Sequence, residues 1–189
     1  RHWNFETNEL YKTFAESLRV MDGKTEDLSQ KANTDPLTGL ANRRSMEVVI
    51  ADWIGSKTPF AVVMLDLDHF KSVNDDYGHQ KGDEVLVFLA DRIRAEKRDA
   101  DYGCRYGGEE FTLLLPNADT EQAYRLAERL RIGIAGANSP IGKPITLSLG
   151  ISSYPNDAQD RDELFRQADD ALYQAKQNGR NRTVIYREN

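Results

Sequence analysis

The chain has 189 residues, 39% hydrophobic and 30% charged, which is enough for one well-cored domain and an appendage. A formal charge of −6 argues against a duplex nucleic-acid binder held by phosphate contacts, although a small anionic ligand needs only a few local cations. One cysteine, Cys104, excludes an internal disulfide and a thiolate zinc site, and three scattered histidines argue against a histidine metal site.

No apolar run reaches the ~18 residues that span a bilayer, and no secretory signal is visible. The chain opens mid-pattern at Arg1 without a methionine, so it is expected to belong to something longer, with an upstream membrane segment still compatible.

Residues Trp3 to Ala32 read as a helix. Leu10, Phe14, Leu18, Met21 and Leu28 form a narrow apolar seam, thinner than a core helix needs and suited to pairing with a second helix. A helix folded back on its own domain is the alternative. Asp35-Pro36 is a helix-start signal that Gly39 soon interrupts. A helix from about Asn42 to Ile54 follows, with Met46, Val49, Ile50 and Trp53 on its apolar face.

Phe60 to Asp68 is the most apolar run and reads as a buried central strand. It ends in two carboxylates, Asp66 and Asp68, from which a purely structural strand gains nothing. A helix from about Gly82 to Arg94 leads to the stretch Asp101 to Pro116, two strands joined at Gly107-Gly108 and followed at once by Glu109 and Glu110. Such an acidic tip is either simply solvated or faces a cation. The remaining elements are a helix from Thr120 to about Ile134, a strand from Ile145 to Ser152, a helix from Asp162 to Asn178 and a short strand from Thr183 to Tyr186. Cys104 is expected to pack in the hairpin without a redox role.

This order predicts an α/β (α+β) fold that resembles a ferredoxin-like sheet, a scaffold of nucleotide-polymerising palms and nucleotidyl cyclases. Its central, mainly antiparallel sheet is flanked by helices, with an N-terminal signalling helix. Antiparallel pairing should bring the Asp66 end of the central strand beside Gly107-Gly108, with Asp66 and Glu109 facing one another. Three or four converging carboxylates without histidine or thiolate make a hard-oxygen site that suits Mg2+. Lys71, Lys176 and Arg180 supply cations for phosphates, although each alone reads as a solvated surface charge.

Asp35-Pro-Leu-Thr-Gly-Leu-Ala-Asn-Arg-Arg44, Asp66-Leu-Asp-His-Phe-Lys-Ser-Val-Asn74, Gly78-His79, Gly82-Asp83, Arg105-Tyr-Gly-Gly-Glu-Glu-Phe111, Ala175-Lys176 and Gly179-Arg180-Asn181 together resemble the GGDEF family of diguanylate cyclases. The likeness runs from about Thr34 to Tyr186, so that residues 1–33 read as a helical linker suited to a coiled coil and 34–189 as the cyclase domain.

The resemblance implies condensation of two GTP into cyclic di-GMP and two pyrophosphates, with two Mg2+ per site and Mn2+ able to substitute. It implies metal binding by Asp66, Glu109 and the Leu67 carbonyl, with Asp68 and Glu110 beside the reacting hydroxyl or second metal. Asn74 and Asp83 would read guanine, and Asp83 favours GTP over ATP. Phe70, Gly107 and Gly108 would line the nucleotide, and Lys71, Lys176, Arg180 and Arg105 would meet phosphates. Arg98 and Asp101 stand at the spacing of the family's product-inhibition motif, with Arg125 and Arg129 as contributors from a neighbouring domain.

The partners implied are GTP, cyclic di-GMP, a second copy in a head-to-head homodimer and an upstream sensory domain, with no nucleic acid; the catalytic domain is expected in the cytoplasm. The rivals are a silent receptor that binds cyclic di-GMP through Arg98 and Asp101, and a GTP-binding module serving an attached phosphodiesterase.

Overall fold

Why the two acidic segments meet follows from the pairing of the strands. A computed structural model describes residues 3–188, with side chains described from Glu16 onward apart from residue 30. The chain divides into residues 1–34 and 35–189.

The first unit is a single helix, α1 (Trp3–Asn33), which runs through Gly23 without a break. Leu18, Met21 and Leu28 of the apolar seam are exposed, together with Val20. The side chains of Leu10 and Phe14 lie outside the described residues.

The second unit begins with a turn in place of the helix that Asp35-Pro36 suggests. The Asp35 carboxylate accepts from both the amide and the hydroxyl of Thr38, 2.8 and 2.7 Å away, and closes the chain on itself before a helix can propagate. A two-residue strand β1 (Ala41–Asn42) leads into α2 (Arg43–Gly55), which Asn42 caps by accepting from the Ser45 amide. Strand β2 (Phe60–Leu67) is buried over all eight residues, as its apolar run predicts.

Helix α3 (Phe70–Tyr77), unforeseen in the sequence pattern, precedes α4 (His79–Glu96), with Gly78 at φ 86° between them. Strands β3 (Tyr102–Gly107) and β4 (Glu110–Pro116) form the hairpin. Helix α5 (Thr120–Ala135), strand β5 (Leu147–Tyr154), helix α6 (Arg161–Gln177) and strand β6 (Arg182–Ile185) complete the fold; β5 starts and ends two residues later than its alternation suggests.

The six strands lie in the order β1-β3-β4-β2-β5-β6, with three antiparallel pairings in the middle and a parallel pairing at each edge. One face of the sheet packs on α3, α4 and α5 through Leu65, Phe111, Leu149, Val85, Leu89 and Leu130. The other packs on α2 and α6 through Val62, Met64, Leu114, Met46, Ile50, Phe165 and Leu172.

Helix α6 sits on the sheet at backbone distance. A Cβ added to Gly150 would stand 2.2 Å from the Ala168 carbonyl oxygen and 2.3 Å from the Leu172 nitrogen, so only glycine fits there. Cys104 is fully buried between these layers, and burial pushes its thiol up to about 12, which keeps it protonated.

Candidate active site

The β2–β4 register sets the site. Asp66 lies directly opposite Glu110, in phase with Met64 opposite Thr112 and Val62 opposite Leu114, so both carboxylates project on the α2/α6 face. The strand-to-strand partner of Asp66 is therefore Glu110, and not Glu109 as the sequence suggested. A register shift between Arg105 and Gly107 absorbs Tyr106, Gly107 pairs with Glu110, and the two-residue turn falls on Gly108 and Glu109 one position later than expected. Gly108, at φ 40°, takes the left-handed conformation that this turn needs.

Asp66 is buried, and its carboxylate is half satisfied. Oδ2 accepts from Lys176 Nζ at 2.5 Å, whereas Oδ1 is buried without a hydrogen-bond partner. Burial pushes this carboxyl above the usual carboxylate range. The Lys176 ammonium only partly offsets that, and the negative charges of Glu109 and Glu110 push the same way. Lys176, assigned to phosphates from sequence, thus also neutralises Asp66.

Asp68 is buried with both oxygens engaged: Thr146 Oγ1 and Ser148 Oγ donate to it at 2.7 Å each, and the Asn181 amide donates at 3.0 Å. It ties β2 to β5 and to the turn after α6, where Gly179, Arg180 and Asn181 all have positive φ. Asp68 is thus spent on these donors, while Glu109 and Glu110 stay close enough to act on Asp66; among the described residues no group of three or more His, Cys, Asp or Glu side chains is arranged to hold a metal ion. The donor set that remains still fits a hard cation. Mg2+ takes one or two protein carboxylates and leaves the rest of its shell to water and phosphate, and the bare Oδ1 of Asp66 beside Glu109 offers that much.

The other predicted residues divide by environment. Asn74 is half-buried on α3, and Asp83 is exposed in α4. The intervening Gly82 packs on the Asn74 amide so tightly that a Cβ would meet its Oδ1 at 1.9 Å. Phe70 is buried in the core beneath them, with Cζ 3.3 Å from the same point, and so supports this pair from below. Lys71 and Arg180 are exposed. Arg105 is held within the domain: its Nη1 lies 3.2 Å from Asp35 Oδ1, and its Nε donates to the Gly108 carbonyl at 2.9 Å.

Farther along the hairpin, Asp101 is buried and receives the Arg98 amide at 2.8 Å and the Arg98 guanidinium at 2.7 Å. Arg98, Arg125 and Arg129 line one shallow pocket with Gln122 and Leu126. Arg129 also donates to Glu96 at 3.1 Å.

Sequence reasoning passed over Gly82 and Gly150 as packing positions, Thr146 and Ser148 as partners of Asp68, and the Asp35–Arg105 pair. A serine in a fully buried strand was the available signal for Ser148, since a buried hydroxyl seeks a polar partner.

An antiparallel-centred sheet flanked by helices, with acids at the facing ends of β2 and β4 and a lysine from the last helix, is the α/β architecture that the order of elements predicts. The family model described as "Diguanylate cyclase, GGDEF domain" matches residues 32–182, and the chain belongs to that family.

A diguanylate cyclase of Vibrio cholerae is 41% identical over 86% of this chain and 52% of its own length. The solved coiled coil and GGDEF domain of DgcB from Caulobacter crescentus, in complex with c-di-GMP, covers 95% of this chain and 98% of its own at 29% identity and a TM-score of 0.81. The active GGEEF domain of a Vibrio cholerae diguanylate cyclase covers 79% of this chain and 99% of its own at 39% identity and a TM-score of 0.74. The chain spans from about a quarter to about half the length of the curated relatives it matches.

Proposed function

We infer that residues 34–189 form the catalytic domain of a diguanylate cyclase that joins two GTP into cyclic di-GMP with release of two pyrophosphates. The observation that carries this reading is the half-satisfied Asp66 carboxylate opposite Glu110 and beside the Gly108-Glu109 turn, within a chain of this family.

Asp66, the Leu67 carbonyl and Glu109 would hold two Mg2+, or Mn2+ in their place. When bound, the metal polarises the α-phosphate and makes the 3′-hydroxyl a better nucleophile. Asn74 and Asp83 orient guanine, an amide and a carboxylate matching its acceptor and donor edges. Lys71, Lys176 and Arg180 face the triphosphate. Asp68, with both oxygens engaged, positions the ends of β5 and α6, and exposed Glu110 is the acid that faces the attacking hydroxyl.

One domain holds one GTP, so the reaction needs two copies head to head. In each half-reaction a 3′-oxygen bonds to the partner's α-phosphorus as pyrophosphate leaves. The exposed apolar side chains Leu18, Met21 and Leu28 of α1 support pairing of this helix, through which an upstream sensory domain would set the alignment. Among the described residues no helix is long and apolar enough to cross a membrane. The domain works in the cytoplasm, where GTP is supplied. Arg98 and Asp101, with Arg125 and Arg129, form the product site that restrains turnover.

Incubating the chain with GTP and Mg2+ and separating the products by chromatography tests the reading. Cyclic di-GMP and pyrophosphate in a 1:2 ratio are expected; intact GTP at high protein concentration would overturn it.

A further inference from the structure

The glycine turn of the hairpin has little side-chain packing of its own, its Gly108 carbonyl accepting from Arg105 Nε at 2.9 Å. A Cβ built on Gly107 or on Gly108 would meet nothing within 4 Å, and glycine gives the backbone its widest freedom. Yet this turn carries Glu109 and precedes Glu110, whose placement must be held to a fraction of an ångström for catalysis. The order has to come from the residues before it.

Tyr106, the residue taken up by the register shift, packs on the α2/α6 face and is partly buried there. The Arg43 guanidinium stands 4.5 Å from its ring centroid, and the Phe165 ring lies 6.1 Å away on α6. Arg161 reaches the Tyr106 hydroxyl at 3.4 Å while its own ring contact is with Phe165, at 4.3 Å. Glu47 of α2 closes the circuit: it accepts from Arg161 Nε at 2.9 Å and from Arg161 Nη2, and lies 3.9 Å from Arg43 Nε. A guanidinium forked onto a carboxylate and laid against an aromatic ring has little freedom left.

The same helix, α6, carries Lys176 to Asp66 at its other end. One rigid rod thus seats the residue that neutralises Asp66 and the ring that anchors the neighbouring turn.

We propose that Tyr106 is a positioning residue for the cyclase reaction, a peg that the Arg43–Glu47–Arg161 circuit and Phe165 clamp so that the glycine turn presents Glu109 and Glu110 to the bound nucleotide. The proposal rests on the cyclase reading for its effect on turnover, and on the fold alone for its effect on the turn.

Steady-state kinetics with GTP and Mg2+ and hydrogen exchange of the peptide 105–111 are measured on the same proteins. Tyr106→Ala is expected to lower kcat by about tenfold to a hundredfold while KM for GTP moves by less than about threefold, since the peg acts on the acids and not on the guanine pair. Exchange of the peptide 105–111 should quicken by about tenfold, with the β2 peptide unchanged. Tyr106→Phe, which keeps the ring, should restore both, and Arg161→Met should move both in the direction of Tyr106→Ala without touching the hairpin.

Wild-type kcat and wild-type exchange in Tyr106→Ala overturn the peg. So does faster exchange spread over the whole sheet, which would make Tyr106 mere glue between layers. A wild-type chain that makes no product overturns the cyclase reading instead, and the exchange of the peptide 105–111 still decides the peg.

Discussion

The carboxylate of Asp66 lies 2.5 Å from the Lys176 ammonium on one oxygen and is buried without a partner on the other. A half-neutralised buried acid is costly to fold, and the repulsion from Glu109 and Glu110 adds to the cost. Such an arrangement suits a cation and little else.

Removing the ammonium leaves that charge uncompensated. Lys176→Met is expected to lower stability by about 2 kcal/mol at pH 7, less than a fully buried pair would cost because Lys176 keeps some exposure. Adding Mg2+ should recover part of the loss by binding the native state, and should raise the melting temperature of the variant more than that of the wild type. Thermal unfolding with and without Mg2+ checks both signs.

Asp35 makes a pH prediction. Burial raises its carboxyl, but hydrogen bonds from the Thr38 hydroxyl and amide and the positive charge of Arg105 outweigh it, and the net shift is below the usual value of 3.8. A folded value under the unfolded one means stability that is present above about pH 4 and is lost as the pH falls through the folded value. Asp35→Asn should therefore cost about 1–3 kcal/mol at pH 7, the scale of hydrogen bonds to a charged group. The gap from wild type should shrink progressively below pH 4 in denaturant titrations.

Gly150→Ala forces a methyl against the α6 backbone at Ala168 and Leu172, where no side chain can turn aside. A loss of about 3 kcal/mol is expected, at the upper end of overpacking costs. Because α6 also carries Lys176 and Arg161, turnover at temperatures well below unfolding should fall as well. Chemical denaturation paired with an activity assay reads the two effects.

Arg98→Ala addresses the pocket shared with Arg125 and Arg129. The concentration of added cyclic di-GMP needed to halve turnover should rise at least about tenfold, the loss of a charged bidentate contact. An unchanged inhibition curve would place the product site elsewhere.

The sheet was legible because its strands advertise themselves. Phe60 to Leu67 has no polar interruption until Asp66, and Ile145, Leu147, Leu149 and Ile151 alternate. Helix α3 was hidden because its eight residues offer barely two turns of periodicity, with only Phe70 and Val73 buried. The acids of the site could be picked out by type and position, but not their pairing. One unpaired residue, Tyr106, moved the turn to Gly108-Glu109 and set Glu110 opposite Asp66. Nor could the sequence tell that Asp68 would be consumed by Thr146, Ser148 and Asn181, or Arg105 by Asp35, since those partners lie far away along the chain.

The central claim is that Asp66 and Glu109 hold a divalent ion over a guanine nucleotide, and Mn2+ titration followed by electron paramagnetic resonance tests it directly. In the presence of a non-hydrolysable GTP analogue the wild-type chain should deplete the free-ion signal, whereas Asp66→Asn and Glu109→Gln, both folded by circular dichroism, should leave it at the level of the analogue alone. Depletion by both variants equal to that by the wild type would contradict the claim.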